Sequence, residues 1–248
     1  MTDCDTVTKR GTMCRRESYG CPHVLSFCPP GRGSAAQFRH LLRSRSRSRP
    51  APRFTELPAA EHAKTLRAAG TGTGSQQTRV QVRDFAFVSD EPVAIGGRDE
   101  GPTPMEYLAG AVNACITVVI DQSAARRGLP VDAVQTYTLA KQDTRGLAGK
   151  ADVQPYMYAY RLQILIATGE TRETELISFA AAAERTCPAI NLLRDANTGL
   201  EVVWSFVAEA ADGAAEALSN EAWGYPVAGA APQPFLTVVN ADRAGERA

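Results

Sequence analysis

Histidine is scarce in this chain and stands in the wrong part of it for catalysis: His23, His40 and His62 come early, and no histidine follows. A Ser-His-Asp triad, a Cys-His pair or a histidine-rich metal centre is therefore excluded from everything beyond residue 62. No phosphate-binding Walker loop and no dinucleotide fingerprint occurs. Pairs of cysteines spaced Cys-x2-Cys are absent too, which removes the commonest zinc spacing. No apolar run approaches the roughly 20 residues that cross a bilayer, and the first 30 residues lack the continuous apolar stretch of a secretory signal. These absences lead us to expect a cytoplasmic protein with no membrane partner, in a reducing compartment where thiols are catalytic or inert rather than bridged.

The formal charge is zero, but it is unevenly distributed. Residues 1–53 carry 11 Lys or Arg against three acids (Asp3, Asp5, Glu17), about +8, which leaves about −8 for the rest. This basic arm also holds Cys4, Cys14, Cys21 and Cys28 and the alternating run from Arg43 to Arg49. It has little apolar surface to bury and repels itself, so it is expected to be a disordered extension. Phosphate contacts to a nucleic acid and a zinc knuckle using His23 are the alternatives. We take the extension and expect no nucleic-acid partner. Residues 54–78 are expected to be a linker with a short helix near Ala59–Ala69. The run Gly70-Thr-Gly-Thr-Gly74 follows that helix and precedes a strand, the reverse of a phosphate loop, and is assigned to the linker.

The regular body spans 79–208. Val80, Val82, Phe85 and Phe87 alternate with polar residues as in a strand or hairpin. A loop from Asp90 to Gly101 leads to Thr103, Pro104 and Glu106, which form a helix N-cap, first position and capping box. That helix runs to about Arg127 and is stopped by Gly128 and Pro130. From Tyr107 to Ile120 it is apolar nearly all round, which predicts burial. Val131–Ala140 and Tyr156–Ala167 are strand-like, and a second helix covers about Arg172–Arg185. Cys187-Pro188 opens a third helix toward Asp195, and Leu200–Val207 is a last strand. The order predicts an α+β domain, an antiparallel sheet packed on a long central helix. Residues 209–248, rich in Ala, Gly and Pro, are expected to be a loose tail with a candidate strand at Phe235–Val239.

Only two cysteines lie in this body, Cys115 and Cys187. Cys115 sits mid-helix among apolar residues, where a thiol often serves as a small hydrophobe. Cys187 stands at the N-cap of a helix, where free N–H groups and the dipole lower a thiol's pKa. Structural and chemical roles are both open for each on local context alone.

The segment Gly96-Gly-Arg-Asp-Glu-Gly-Pro-Thr-Pro-Met-Glu-Tyr-Leu-Ala-Gly-Ala-Val-Asn-Ala-Cys115 resembles the OsmC/Ohr family of osmotically inducible and organic hydroperoxide resistance proteins. Asp143-Thr-Arg-Gly146 and Glu184-Arg-Thr-Cys187-Pro188-Ala189 resemble further landmarks in the same order. The resemblance covers about 130 residues. It implies an intertwined homodimer with active sites at the subunit interface, needing no metal or organic cofactor. Cys115 would attack an organic hydroperoxide as a thiolate, Cys187 would close a disulfide with the resulting sulfenic acid, and a dithiol reductant would reopen it. The family's activating arginine comes from an N-terminal strand or loop, so Arg79 is the first candidate, with Arg83 and Arg98 behind it. One departure stands out. Ten residues before the first cysteine, where studied members carry a glutamate, this chain has Met105, a pattern closer to an OsmC-like branch with Met-Glu at this place. Glu106 lies about 180° from Cys115 on the helix and is explained by the cap. A non-peroxidatic module that binds small molecules or senses redox state is the alternative function.

Overall fold

A computed structural model describes residues 58–208 and 233–243. The basic arm with its four cysteines, and most of the Ala/Gly/Pro-rich tail, lie outside the described residues. The chain divides into Met1–Lys64 and Thr65–Ala248. In the described part of the first unit there is one 3-10 turn, Ala60–His62. The short helix expected over Ala59–Ala69 is reduced to that turn.

The second unit opens with a three-stranded antiparallel meander: β1 (Ala69–Gly74), β2 (Gln77–Val82) and β3 (Phe85–Ser89), in that order. The glycine run assigned to a linker is therefore an edge strand. Thr71 and Thr73 supply β propensity, and Thr71 pairs with Arg79 across the ladder. The turn into β2 has Gly74, Ser75 and Gln76 all at positive φ (93°, 51° and 66°), the backbone twist that suits a two-residue hairpin.

Thr103 caps helix α1 (Pro104–Arg127) as expected. Its hydroxyl accepts from the Glu106 N–H at 3.3 Å, and Glu106 Oε2 accepts from the Thr103 N–H at 2.7 Å. Tyr107 ties the meander to α1 by donating to the Val88 carbonyl at 2.7 Å and packing its ring on Phe87, centroids 4.6 Å apart. By length and composition α1 is apolar enough to cross a membrane, contrary to the sequence expectation. In this fold it packs instead on a four-stranded sheet through Val112, Ile116 and Ile120.

That sheet has the order β4 (Ala133–Gln142), β5 (Met157–Ala167), β6 (Gly199–Val207) and β7 (Leu236–Val239). It is antiparallel except for β5 and β6, which run parallel. The parallel pair needs a long crossover, supplied by α3 (Glu173–Thr186) and α4 (Pro188–Asp195); a four-residue helix α2 (Thr144–Leu147) follows β4. Asp143 caps α2, its Oδ1 accepting from the Arg145 N–H at 3.0 Å. The core lies between α1, α3, α4 and one sheet face. Tyr160, Leu162, Ile164 and Ile166 of β5 alternate into it, as do Val202, Trp204 and Phe206 of β6. Trp204 meets Phe179 edge-on at 6.3 Å.

The expected burial of the long helix is also corrected. The long helix is not buried all round: Leu108 is 38% and Val118 53% exposed, and Ala111 and Ala114 are also exposed. The sheet covers one side of α1 and leaves an apolar stripe open.

Candidate functional site

The two body cysteines meet. Cys187 Sγ donates to Cys115 Sγ across 3.7 Å, although 72 residues separate them. Cys115 is half-buried on α1, one turn beyond Ala111. Cys187 is fully buried and ends α3 while starting α4. Pro188 makes this junction: it cannot continue the N–H ladder of α3, and it suits the first position of a new helix. Asn191 then braces it, its side-chain amide donating to the carbonyls of Glu184, Arg185 and Cys187 at 2.9–3.1 Å.

The helix start does not make Cys187 acidic. Burial pushes its thiol up to about 11, against the N–H groups of Ile190 and Ala189 and with the Cys115 sulfur adding to the rise. Desolvation outweighs the helix terminus here. The pair is thus asymmetric: Cys187 holds a proton and points it at the more accessible Cys115.

An apolar cavity of about 230 Å³ lies between α1 and α4, with neither Cys115 nor Cys187 in its lining. It is walled by Met105, Leu108 and Ala111 from α1, Ala189 and Leu192 from α4, and Tyr156 before β5. Leu108 and Ala111 lie seven and four residues before Cys115, on the same helix face. Met105, at the position of the expected glutamate, forms part of that wall.

Arg79 lies exposed on β2, opposite Thr71 and Val88. Among the described residues its side chain forms no hydrogen bond or ion pair. Arg83 lies over the Phe85 ring at 5.0 Å, and Arg98 is exposed with its backbone N–H on Asp90. Neither cysteine sulfur has a guanidinium donor among the described residues. No cluster among them has the makings of a metal site.

Sequence reasoning missed one group close to the thiols. Glu184, three residues before Cys187, is fully buried. Its Oε1 accepts from Trp204 Nε1 at 2.8 Å and from the Ala241 N–H at 2.7 Å, and its Oε2 pairs with Arg194. Arg194 Nη2 also reaches Asp242 Oδ1 at 2.9 Å. Burial, with the Asp242 carboxyl beside it, pushes Glu184 up to about 7. A signal was present in the sequence: Leu176, Ala180 and Glu184 fall at i, i+4 and i+8, so the acid sits on the apolar stripe of α3 and requires a buried partner.

A mixed sheet covered on one face by three helices, with a contacting dithiol at a helix junction, defines an α+β dithiol protein. Residues 97–202 match the family model described as OsmC-like protein. Solved structures similar to it include an OsmC-like protein from Mycoplasma pneumoniae, 16% identical, with 58% of this chain and 96% of that one covered and a TM-score of 0.49. An organic hydroperoxide resistance protein OsmC from Legionella pneumophila is 17% identical, with coverages of 58% and 96% and a TM-score of 0.43. The organic hydroperoxide resistance protein OhrB of Bacillus subtilis is 16% identical, with 58% and 98% covered and a TM-score of 0.40. No curated protein matches the chain.

Proposed function

We propose that this domain is a cysteine-based peroxidase that reduces organic hydroperoxides, working as a homodimer with a dithiol reductant. The observation that carries this reading is the 3.7 Å contact between Cys115 and Cys187; an apolar cavity is lined by Ala111 and Ala189, four and two residues from these cysteines. As a thiolate, Cys115 attacks the outer oxygen of R–OOH, the O–O bond breaks, and R–OH leaves with a proton from the site. Cys115 is then a sulfenic acid. Cys187, whose sulfur has to close only from 3.7 Å to the bonding distance of about 2.05 Å, displaces the hydroxyl. Its own proton goes to that hydroxyl and water departs. An external dithiol reduces the disulfide by exchange and is itself oxidised. The apolar cavity suits the alkyl or aryl part of the peroxide.

The homodimer is supported by surfaces that a single chain leaves open. These are the Leu108–Val118 stripe of α1 and the meander, on which Phe85 is 63% exposed. Arg79 is assigned the role of cation to the Cys115 thiolate, delivered from the second subunit.

Purified protein given cumene hydroperoxide and dithiothreitol should consume peroxide. Cys115→Ser should abolish turnover, and Arg79→Met should slow it at least tenfold. An equally active Cys115→Ser variant rules the assignment out. A second reading, a non-peroxidatic module that binds an apolar ligand, is favoured by Met105 in the cavity wall. Intact mass after mild peroxide separates the two: loss of two hydrogens marks the enzyme, and an unchanged mass marks the binder.

A further inference from the structure

We infer that Arg194, held between Glu184 and Asp242, is a positioning residue that aims Cys187 at Cys115, and that the C-terminal turn 240–243 is a working part of the dithiol site. The inference rests on reading Cys115 and Cys187 as a redox pair, but not on peroxide as their oxidant.

The orientation of Cys187 is set by the angle between α3 and α4, because the residue is the joint between them. Backbone bonds tie Cys187 to each helix separately, its N–H donating to the Ala183 carbonyl at 3.0 Å and its carbonyl accepting from the Asn191 N–H at 3.1 Å, but Pro188 brings no N–H to carry the ladder across the joint. Two α4 side chains reach across it. Asn191 braces the joint from inside, and Arg194 closes the open end by bridging to the Glu184 carboxylate and, at 3.4 Å, to the Glu184 carbonyl. The bridge is well buried: the Arg194 side chain is 11% and that of Glu184 0% exposed. Such a pair persists only with further donors and acceptors around it. The C-terminal segment supplies them. Asn240 docks on β6, its N–H donating to the Val202 carbonyl at 2.8 Å and its Oδ1 accepting from the Val202 N–H at 2.9 Å. That places the Ala241 N–H on Glu184 and Asp242 on Arg194. Residues 240–243 lie beyond the segment 97–202 that the family model matches, whereas Glu184 and Arg194 lie within it.

The equilibrium between dithiol and disulfide measures how well one sulfur is presented to the other, as an effective concentration. Oxidation by glutathione disulfide is balanced: the two cysteines lose two hydrogens and one disulfide becomes two glutathione molecules. The full chain, with the four N-terminal cysteines changed to serine to leave the body pair as the sole reporter, is equilibrated in glutathione buffers, trapped by alkylation and weighed. Arg194→Met should shift the constant at least tenfold toward the dithiol, about 30 mV, and Arg194→Lys should recover most of it. Asp242→Asn, a milder change, should shift it in the same direction, and serves alone if Arg194→Met does not fold. Leu165→Ala, in the small cluster on the opposite sheet face, should lower thermal stability and leave the constant unchanged. If Asp242→Asn and Arg194→Met both stay within twofold of the parent, or if Leu165→Ala shifts the constant as much as they do, the positioning role is overturned. A parent that forms the disulfide but consumes no peroxide sinks the peroxidase reading and leaves this inference standing. A parent that forms no disulfide in any buffer overturns both.

Discussion

Between two sulfurs that share one hydrogen, the donor is the one that keeps its proton. Cys187 donates to Cys115, and burial pushes its thiol up to about 11. Alkylation follows thiolate character and exposure together. Iodoacetamide at pH 8 should therefore modify half-buried Cys115 and leave Cys187 intact in the folded protein, read by peptide mass. Equal labelling of both would contradict the asymmetry. Linkage gives Cys187 a sign as well: its folded pKa lies above the usual 9, so the stability it contributes is present below pH 9 and is lost between about 9 and 11. Glu184 titrates lower. Its folded value of about 7 lies above the usual 4.5, so between these values the folded chain holds a proton that the unfolded chain has released. Stability from this group is full below about 4.5 and falls as pH rises through about 7, with a slope approaching about 1.4 kcal/mol per pH unit. Glu184→Gln should flatten that part of the profile in urea titrations at pH 5 and 7.5. An unchanged slope would mean that the carboxyl is ionised throughout.

Helix α1 presents Cys115, and its start was legible because capping is local chemistry: Thr103, Pro104 and Glu106 need no tertiary partner to act. Removing that cap by Thr103→Ala strands the Glu106 N–H and should cost about 1 kcal/mol in chemical denaturation. The cavity-forming change Ile116→Ala, at a fully buried position one residue beyond Cys115, should cost about 2–5 kcal/mol. Strands β5 and β6 and the Pro188 helix start were legible for the same reason, as period and punctuation. β1 was not. Its glycines carry no side-chain period, and only pairing with β2 makes the run a strand. The contact between Cys115 and Cys187 was also beyond any local signal: their separation in sequence says nothing of distance, and the expectation came from family resemblance alone. Glu184 left its mark on the apolar stripe of α3, but its partners Arg194, Trp204 and Asp242 come from three other segments. A buried acid can be suspected from periodicity, but its partners have to be seen.

At the scale of the molecule, the question is why so apolar a helix has one side uncovered. Burial gains about 25 cal/mol for each Å² of apolar surface removed from water, and contiguous open apolar stripes mark interfaces. On α1 the stripe of Leu108, Ala111, Ala114 and Val118 follows one face at helical spacing, and Cys115 lies at its border. The meander adds Phe85 and the exposed Arg79 on a sheet that its own chain leaves largely uncovered. A second copy placed over the stripe would remove it from water, close the open flank of the thiol pair and bring a cation toward it. The expected result is a mass near twice 26.5 kDa by light scattering. Val118→Arg, which sets a charge on the exposed face without touching the core, should return the mass of one chain. Peroxide turnover should fall with it, because the arginine would no longer be supplied in trans, while the Cys115–Cys187 equilibrium in glutathione buffer should hold, since both sulfurs and the clasp on α4 belong to one chain. A single-chain mass for the parent protein would remove the dimer and, with it, the role given to Arg79.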